Sequence, residues 1–160
     1  MEKIIINRYQ KLFGVGPIGL LISLVLFGLA SVLDRALGQI RIFTSFQPGR
    51  IAGFVLIELW ICWHVWAIKT ISSWWKNGRL CTAGPFRFVR HPIYAGAIWL
   101  LGYGVALLFN SWIMLACPLL QYLIMSFLVR KEEKMMSGVF GEDYARYAAR
   151  TGRLLPKIFG

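Results

Sequence analysis

Two short charged stretches hold most of the side chains able to do chemistry here: Arg90-His91-Pro92-Ile93-Tyr94 and Arg130-Lys131-Glu132-Glu133. Pro92 lacks an amide hydrogen, so it suits the first turn of a helix, where that donor has no partner. His91, ahead of the proline, is steered towards extended backbone. The chain is therefore predicted to turn at His91 and begin a helix at Pro92. A helix start carries partial positive charge, and Arg87 and Arg90 lie close by, which makes a seat for a carboxylate or phosphate. Tyr94 adds a hydroxyl one turn in. Taken alone, these arginines could equally be membrane anchors and His91 a cap. Glu132 and Glu133 supply the opposite polarity. Together the two stretches would take a zwitterion, its carboxylate near His91 and its ammonium near Glu132.

The elements that must position them are apolar. The chain has 160 residues, 58% hydrophobic and 16% charged, which is not the make-up of an ordinary soluble domain. Residues 14–33, 51–71, 92–108 and 112–129 form four runs suited to a hydrocarbon layer of ~30 Å. The last two are joined only by Asn110-Ser111, which predicts a helical hairpin that returns Glu132 to the side of His91. The formal charge of +11 would suit nucleic acid, but its distribution excludes that reading. Lys3, Arg8 and Lys11 precede the first run. Lys69, Lys76, Arg79, Arg87 and Arg90 separate the second and third, and seven more basic residues follow the fourth. This pattern places both termini on the cytoplasmic side of an integral membrane protein, of bacterial inner-membrane type, with a basic surface suited to lipid headgroups. Arg35, Arg41 and Arg50 in the first loop depart from it, offset in part by Asp34. The first run could imitate a cleaved leader, but its removal would spoil the charge alternation, so it reads as a span.

Further features have structural readings first. Residues 3–13 suit a short interfacial segment, 38–49 a loop ended by Gln47-Pro48-Gly49, and 142–150 an amphipathic helix burying Tyr144, Tyr147 and Ala148. Glu58 shares a helix face with Cys62, Val65 and Lys69. A carboxylate inside a membrane segment needs a partner, expected to be an arginine of a neighbouring helix. His64, about 120° away and above Trp60, suits an interhelical hydrogen bond. Trp60, Trp63 and Trp66 suit packing or interface anchoring, and Gly102 with Ala106 close helix approach. Cys62, Cys81 and Cys117 are dispersed and the histidines number two, so no metal site is expected.

The order RHPIYAG (90–96), hairpin, Glu132-Glu133, FGEDYARY (140–147) and Leu155-Pro156 resembles the isoprenylcysteine carboxyl methyltransferase and phospholipid methyltransferase superfamily. The resemblance covers residues 84 to the end. The first two runs carry no such signature. The four apolar runs and the 142–150 helix together give the expected fold, an all-α, single-domain membrane bundle over 1–160 with four transmembrane helices plus a C-terminal amphipathic helix. The resemblance implies a small polytopic enzyme. It also implies an S-adenosyl-L-methionine-dependent methyltransferase acting on a lipophilic acceptor. The matching cofactor-contacting positions are His91, Pro92, Ile93, Tyr94 and Glu132, with Arg90 beside them. Gly78, Arg79, Leu80 and Cys81 match the strip bordering the adenosyl group. Phe86 stands where relatives often carry tyrosine, so that position brings no hydroxyl. Arg130 is the candidate substrate-side arginine, and Glu133 or else Glu58 a candidate base. The acceptor stays open between a carboxylate, a thiol and a phospholipid amine. A sterol-reductase-like enzyme using NADPH and a non-catalytic membrane scaffold are the alternatives.

Overall fold

The computed structural model describes residues 14–75 and 78–157. The predicted interfacial segment at 3–13 lies outside them. Among the described residues the regular structure is helical, with two isolated β-bridges. Helix α1 spans Gly16–Ala36 and α2 Phe46–Trp75. A single 3-10 turn, Gly84–Arg87, leads to α3, Pro92–Phe109, and α4 is Ala116–Arg150.

Three of these helices are long and apolar enough to cross a membrane: Gly16–Ala36, Gln47–Trp74 and Pro92–Phe109, with mean hydropathies of 2.2, 1.8 and 1.7. The expected fourth span is shorter than predicted. Residues 112–115 form a turn rather than helix, and Arg130 ends the apolar run, leaving roughly 21 Å of α4 against a layer of ~30 Å. The turn is fixed by side chains. Asn110 caps α3 in the left-handed region at φ 53°. Its amide exchanges hydrogen bonds with the backbone of Phe43, at 2.9 and 3.0 Å. Ser111 donates to the buried Asp34 carboxylate at 2.7 Å and accepts the Met114 amide. Asp34 is thus held by a hydroxyl.

The loop expected at 38–49 also ends early, because α2 begins at Phe46. Pro48 falls in its first turn, where a missing amide hydrogen costs nothing. The predicted 142–150 helix is the tail of α4, set off by a kink at Gly141 with φ 52° and ψ −124°. Its predicted face is the observed one: Tyr144 is buried, Tyr147 and Ala148 are half-buried, and Arg146 and Arg150 are exposed.

Helices α2 and α3 cross at a glycine pair. A β carbon on Gly53 would lie 2.8 Å from the Gly104 carbonyl oxygen, and one on Gly104 would lie 3.1 Å from that of Gly53. Such small residues let membrane helices meet backbone to backbone, where lipid offers no hydrophobic incentive to pack. Helix α1 docks on α4 through the Gln121 amide, which donates to Ser23, and through Met125, which lies against Gly19. Helix α3 is not uniform: Ala97–Gly102 is a π-helical stretch between α-helical ends. A wide turn of this kind shifts the residues that follow it round the axis. Within it, Trp99 donates to the Leu154 carbonyl at 3.0 Å, tying α3 to the segment after α4.

Candidate active site

Pro92 opens α3 as predicted, with His91 at the N-cap position and no side-chain cap bond. The chain before it is pinned from two sides. The Trp63 indole of α2 donates to the Pro92 carbonyl at 2.7 Å. On the other side, the chain leaving α4 runs parallel past it: Val89 bridges Gly152, the Arg90 amide donates to Gly152 at 2.8 Å, and the His91 amide donates to Arg153 at 3.1 Å. The hairpin then delivers Glu132 and Glu133 to the same place. Val15, Val89, Ala95, Ile98, Met125, Val129 and Leu154 form the apolar core beneath.

The two charged stretches meet in direct contact rather than across an open cleft. His91 Nδ1 lies 3.4 Å from Glu132 Oε2, and its Nε2 lies 3.5 Å from Glu133 Oε1 without forming an aligned hydrogen bond. Tyr94 donates to Glu132 Oε1 at 2.9 Å, and the Val15 amide donates to the same oxygen at 2.6 Å. Glu133 is held by two guanidinium groups. Arg90 Nε and Nη2 bind its Oε1 at 2.8 and 2.7 Å, while Arg153 Nε and Nη2 bind its Oε2 at 2.9 and 2.6 Å. Arg90 Nη1 also donates to the carbonyls of Ala148 and Thr151 at the end of α4.

Burial opposes charge on all three titrating groups of this network, and pairing overrides it. His91 is held above its ordinary range: burial lowers it, but hydrogen bonding and attraction to Glu132 and Glu133 raise it by more. Glu132 is held below the carboxylate range, burial being outweighed by His91, the Val15 amide and Tyr94. Glu133 is driven far lower, burial being outweighed by His91, Arg153 and Arg90. A carboxylate so paired is a poor proton acceptor, which argues against the expected role of Glu133 as a base.

Beside this network lies a cleft of about 730 Å³. Gly78, Arg79 and Leu80 line one wall, and Asp143, Tyr147 and Arg150 of α4 line the other. Arg87 and Arg146 add two more guanidinium groups. The cleft and the network share a boundary: Thr151 lines the cleft and receives Arg90, and the Tyr147 hydroxyl donates to the Phe86 carbonyl at 2.6 Å. Cys81 and Phe86 are buried behind the wall with Ala67, and Ile93 packs against them. Burial pushes the Cys81 thiol up, a smaller opposing pull coming from the Ala83 backbone, so it is not poised as a nucleophile.

Apart from Pro92, which opens α3, and Cys81, Phe86 and Ile93, which pack behind the cleft wall, the sequence-predicted residues fall into three groups. His91, Tyr94, Glu132, Arg90 and Glu133 form the charged network. Gly78, Arg79 and Leu80 line the cleft. Arg130 joins neither: it is exposed, with its guanidinium 5.6 Å from the Phe127 ring centre. Arg153 takes the place beside Glu133 that sequence reasoning missed. The one signal for it was a basic residue three positions after the predicted terminal helix. Trp63, read only as a packing residue, and the Val15 amide also enter the site. Within α2, His64 lies beside Trp60 with ring centres 5.4 Å apart and tilted by 46°. Its buried Nδ1 makes no hydrogen bond among the described residues, so the expected interhelical bond is not seen there. Glu58 is exposed, and no arginine among the described residues pairs with it.

Residues 49–143 match the phospholipid methyltransferase family. That stretch is more than half of the chain and takes in most of α2, the cleft strip, His91 and both glutamates. The chain belongs to this family of membrane methyltransferases. It is also similar to the cobalt-zinc-cadmium resistance protein CzcN of Cupriavidus metallidurans, at 30% identity over 108 residues. That alignment covers 66% of this chain and 48% of CzcN, so the chain spans about half the length of this curated relative. No solved structure matches the chain.

Proposed function

We propose that the protein transfers a methyl group from S-adenosyl-L-methionine to a lipophilic acceptor at the cytoplasmic edge of a membrane. The observation that carries this reading is the contact of His91 with Glu132 at the start of a membrane helix, one wall away from the 730 Å³ cleft. That volume is in the range of small-molecule sites, roughly 300–1,000 Å³.

The residues fit the donor's chemistry. Glu132 retains a charged carboxylate for an ammonium group, and Gly78, Arg79, Leu80 and Tyr147 border the space for the adenosyl end. Among the described residues the Tyr144 hydroxyl is buried without a hydrogen-bond partner, and His91 Nε2 makes no aligned bond to Glu133 at 3.5 Å, which leaves two polar atoms for a ligand. When bound, the donor supplies a methyl carried on a positive sulfur. The acceptor's lone pair forms the new bond to carbon, and the sulfur keeps the electrons of the bond that breaks. The protein's share is alignment and exclusion of water, and good alignment alone can contribute about 7–11 kcal/mol. No base stands free in the network, because Glu133 is committed to Arg90 and Arg153. A carboxylate or thiolate acceptor needs none, whereas a phospholipid amine would have to arrive unprotonated. The substrate-side arginine, expected at Arg130, is better sought among Arg79, Arg87 and Arg150, which line the cleft.

The test is transfer of labelled methyl from S-adenosyl-L-methionine to a membrane lipid extract and to a prenylcysteine analogue, with products identified by mass. Titration with S-adenosylhomocysteine and with NADPH runs alongside. Labelled lipid product and tight binding of S-adenosylhomocysteine are expected. Binding of NADPH alone, or of neither compound, would overturn the assignment.

A further inference from the structure

Helix α2 carries an ionisable residue where a single copy of the chain leaves it in contact with lipid. Glu58 lies eleven residues from Gln47 and sixteen from Trp74, the ends of the apolar span, or about 16 and 24 Å along the axis. That is deep in a layer of ~30 Å. It lies about 160° round the helix from the packed face, where Gly53 and Ala67 are buried against the rest of the bundle. Among the described residues no hydrogen-bond or ion-pair partner reaches it. A carboxyl in that position is costly unless something satisfies it.

The residues around it follow a pattern. Ile51, Val55, Glu58, Cys62, Val65 and Lys69 succeed one another at intervals of four, three, four, three and four, and all six are exposed. That is the a/d spacing of a heptad seam, and at 100° per residue it spans an arc of about 80°. Ile51 and Val55 on one side and Cys62 and Val65 on the other flank Glu58, and a single polar position within an apolar stretch of seam fixes register between paired helices. Lys69 ends the seam on the side where the basic residues lie.

We propose that this face is a self-association seam, along which two copies pack α2 against α2 in parallel with their Glu58 carboxyls paired. A two-fold interface sets each residue of its axis opposite itself, so the second copy necessarily brings a carboxyl to the same depth. Each carboxyl then meets a polar group of the other copy rather than lipid. The same symmetry brings Cys62 to Cys62, one turn along. The charged network and the cleft lie on other faces, so pairing leaves both open.

The full chain in lipid vesicles at low density, oxidised with membrane-permeant iodine, tests this. A disulfide-linked two-copy species is expected. It should disappear in Cys62→Ser and persist in Cys81→Ser and Cys117→Ser. In the Cys62→Ser background, Val55→Cys and Val65→Cys should restore it. Leu59→Cys and Ile61→Cys, which are also exposed but lie on either side of the seam, should not. Glu58→Gln should keep the association and Glu58→Leu weaken it about tenfold, in line with the modest worth of interhelical hydrogen bonds in membranes. Equal cross-linking at Leu59 and Ile61, no cross-link at any position, or a product with the mass of a different protein would each overturn the proposal.

Discussion

Arg153 reaches back to Glu133 with two nitrogens on one carboxylate oxygen, Nη2 at 2.6 Å and Nε at 2.9 Å, while Arg90 occupies the other oxygen. This joins the segment after α4, the tail of α4 itself and the entrance to α3. Removing the shared carboxylate leaves Arg90, whose side chain is only 11% exposed, without its counter-charge. Glu133→Gln should therefore lose about 3 kcal/mol of stability. Arg153→Gln, at a side chain 34% exposed, should lose nearer 1 kcal/mol. Thermal unfolding in detergent reads both, and Arg130→Gln is the control that should change nothing. Equal melting of Glu133→Gln and the parent would show that the network does not bind these segments together.

Glu132 differs from its neighbour in what it is bonded to. One oxygen takes Tyr94 and the Val15 amide; the other has His91, at 3.4 Å, as its one polar partner among the described residues. On the proposed reading that oxygen is the one that takes the ligand ammonium. Glu132→Gln and His91→Ala should each weaken S-adenosylhomocysteine binding by about 10- to 100-fold, the range for one hydrogen bond to a charged group. Both variants should melt closer to the parent than Glu133→Gln does. Calorimetric titration supplies the affinity, and unchanged binding in both variants would move the donor site elsewhere.

The crossing of α2 and α3 gives a prediction independent of the site. A β carbon on Gly104 would meet Ile57 Cγ1 at 2.9 Å and the Gly53 carbonyl at 3.1 Å, and the backbone neighbour cannot rotate aside. Gly104→Ala should cost about 1–3 kcal/mol by forcing the helices apart. Gly28→Ala, in α1 with open space around it, should be neutral or slightly stabilising. Melting temperatures of the two variants moving together would show that the close approach carries no energy.

How much was legible in the sequence follows from how local each feature is. The start of α3 was readable to the residue, because Pro92 acts through its own missing donor. Pro48 obeys the same rule, yet Gln47-Pro48-Gly49 reads equally well as the end of a loop, and only the packing of α2 decides between them. The meeting of His91 with Glu132 was readable because the Asn110-Ser111 turn leaves the hairpin little choice. Arg153 was not. Its place depends on the chain returning past Val89 after α4, a contact between positions more than sixty residues apart that no periodicity announces. The π-helical stretch of α3 is equally silent, since no residue type in Ala97–Gly102 demands it. The four-span expectation counted residues 112–115 as helix, though Ser111 holds them in a turn through its bonds to Asp34 and Met114.

The network should also set how stability changes with pH. His91 titrates higher in the folded chain than its ordinary 6.5, so its contribution is complete below that value and is lost as pH rises through the raised one. Glu132 and Glu133 titrate below their ordinary 4.5, so theirs is complete above that value and is lost as pH falls through the lowered ones. The melting temperature should therefore peak between about pH 4.5 and 6.5. His91→Gln keeps a polar side chain but cannot titrate, so it should lower the peak, flatten the alkaline decline and, because His91 is the leading group holding both glutamates down, shrink the acid limb as well. Melting curves from pH 4 to 9 for the two proteins separate these limbs. An alkaline decline of the same size in His91→Gln would mean that another group drives it, and that the imidazole between the two glutamates does not carry a proton in the folded state.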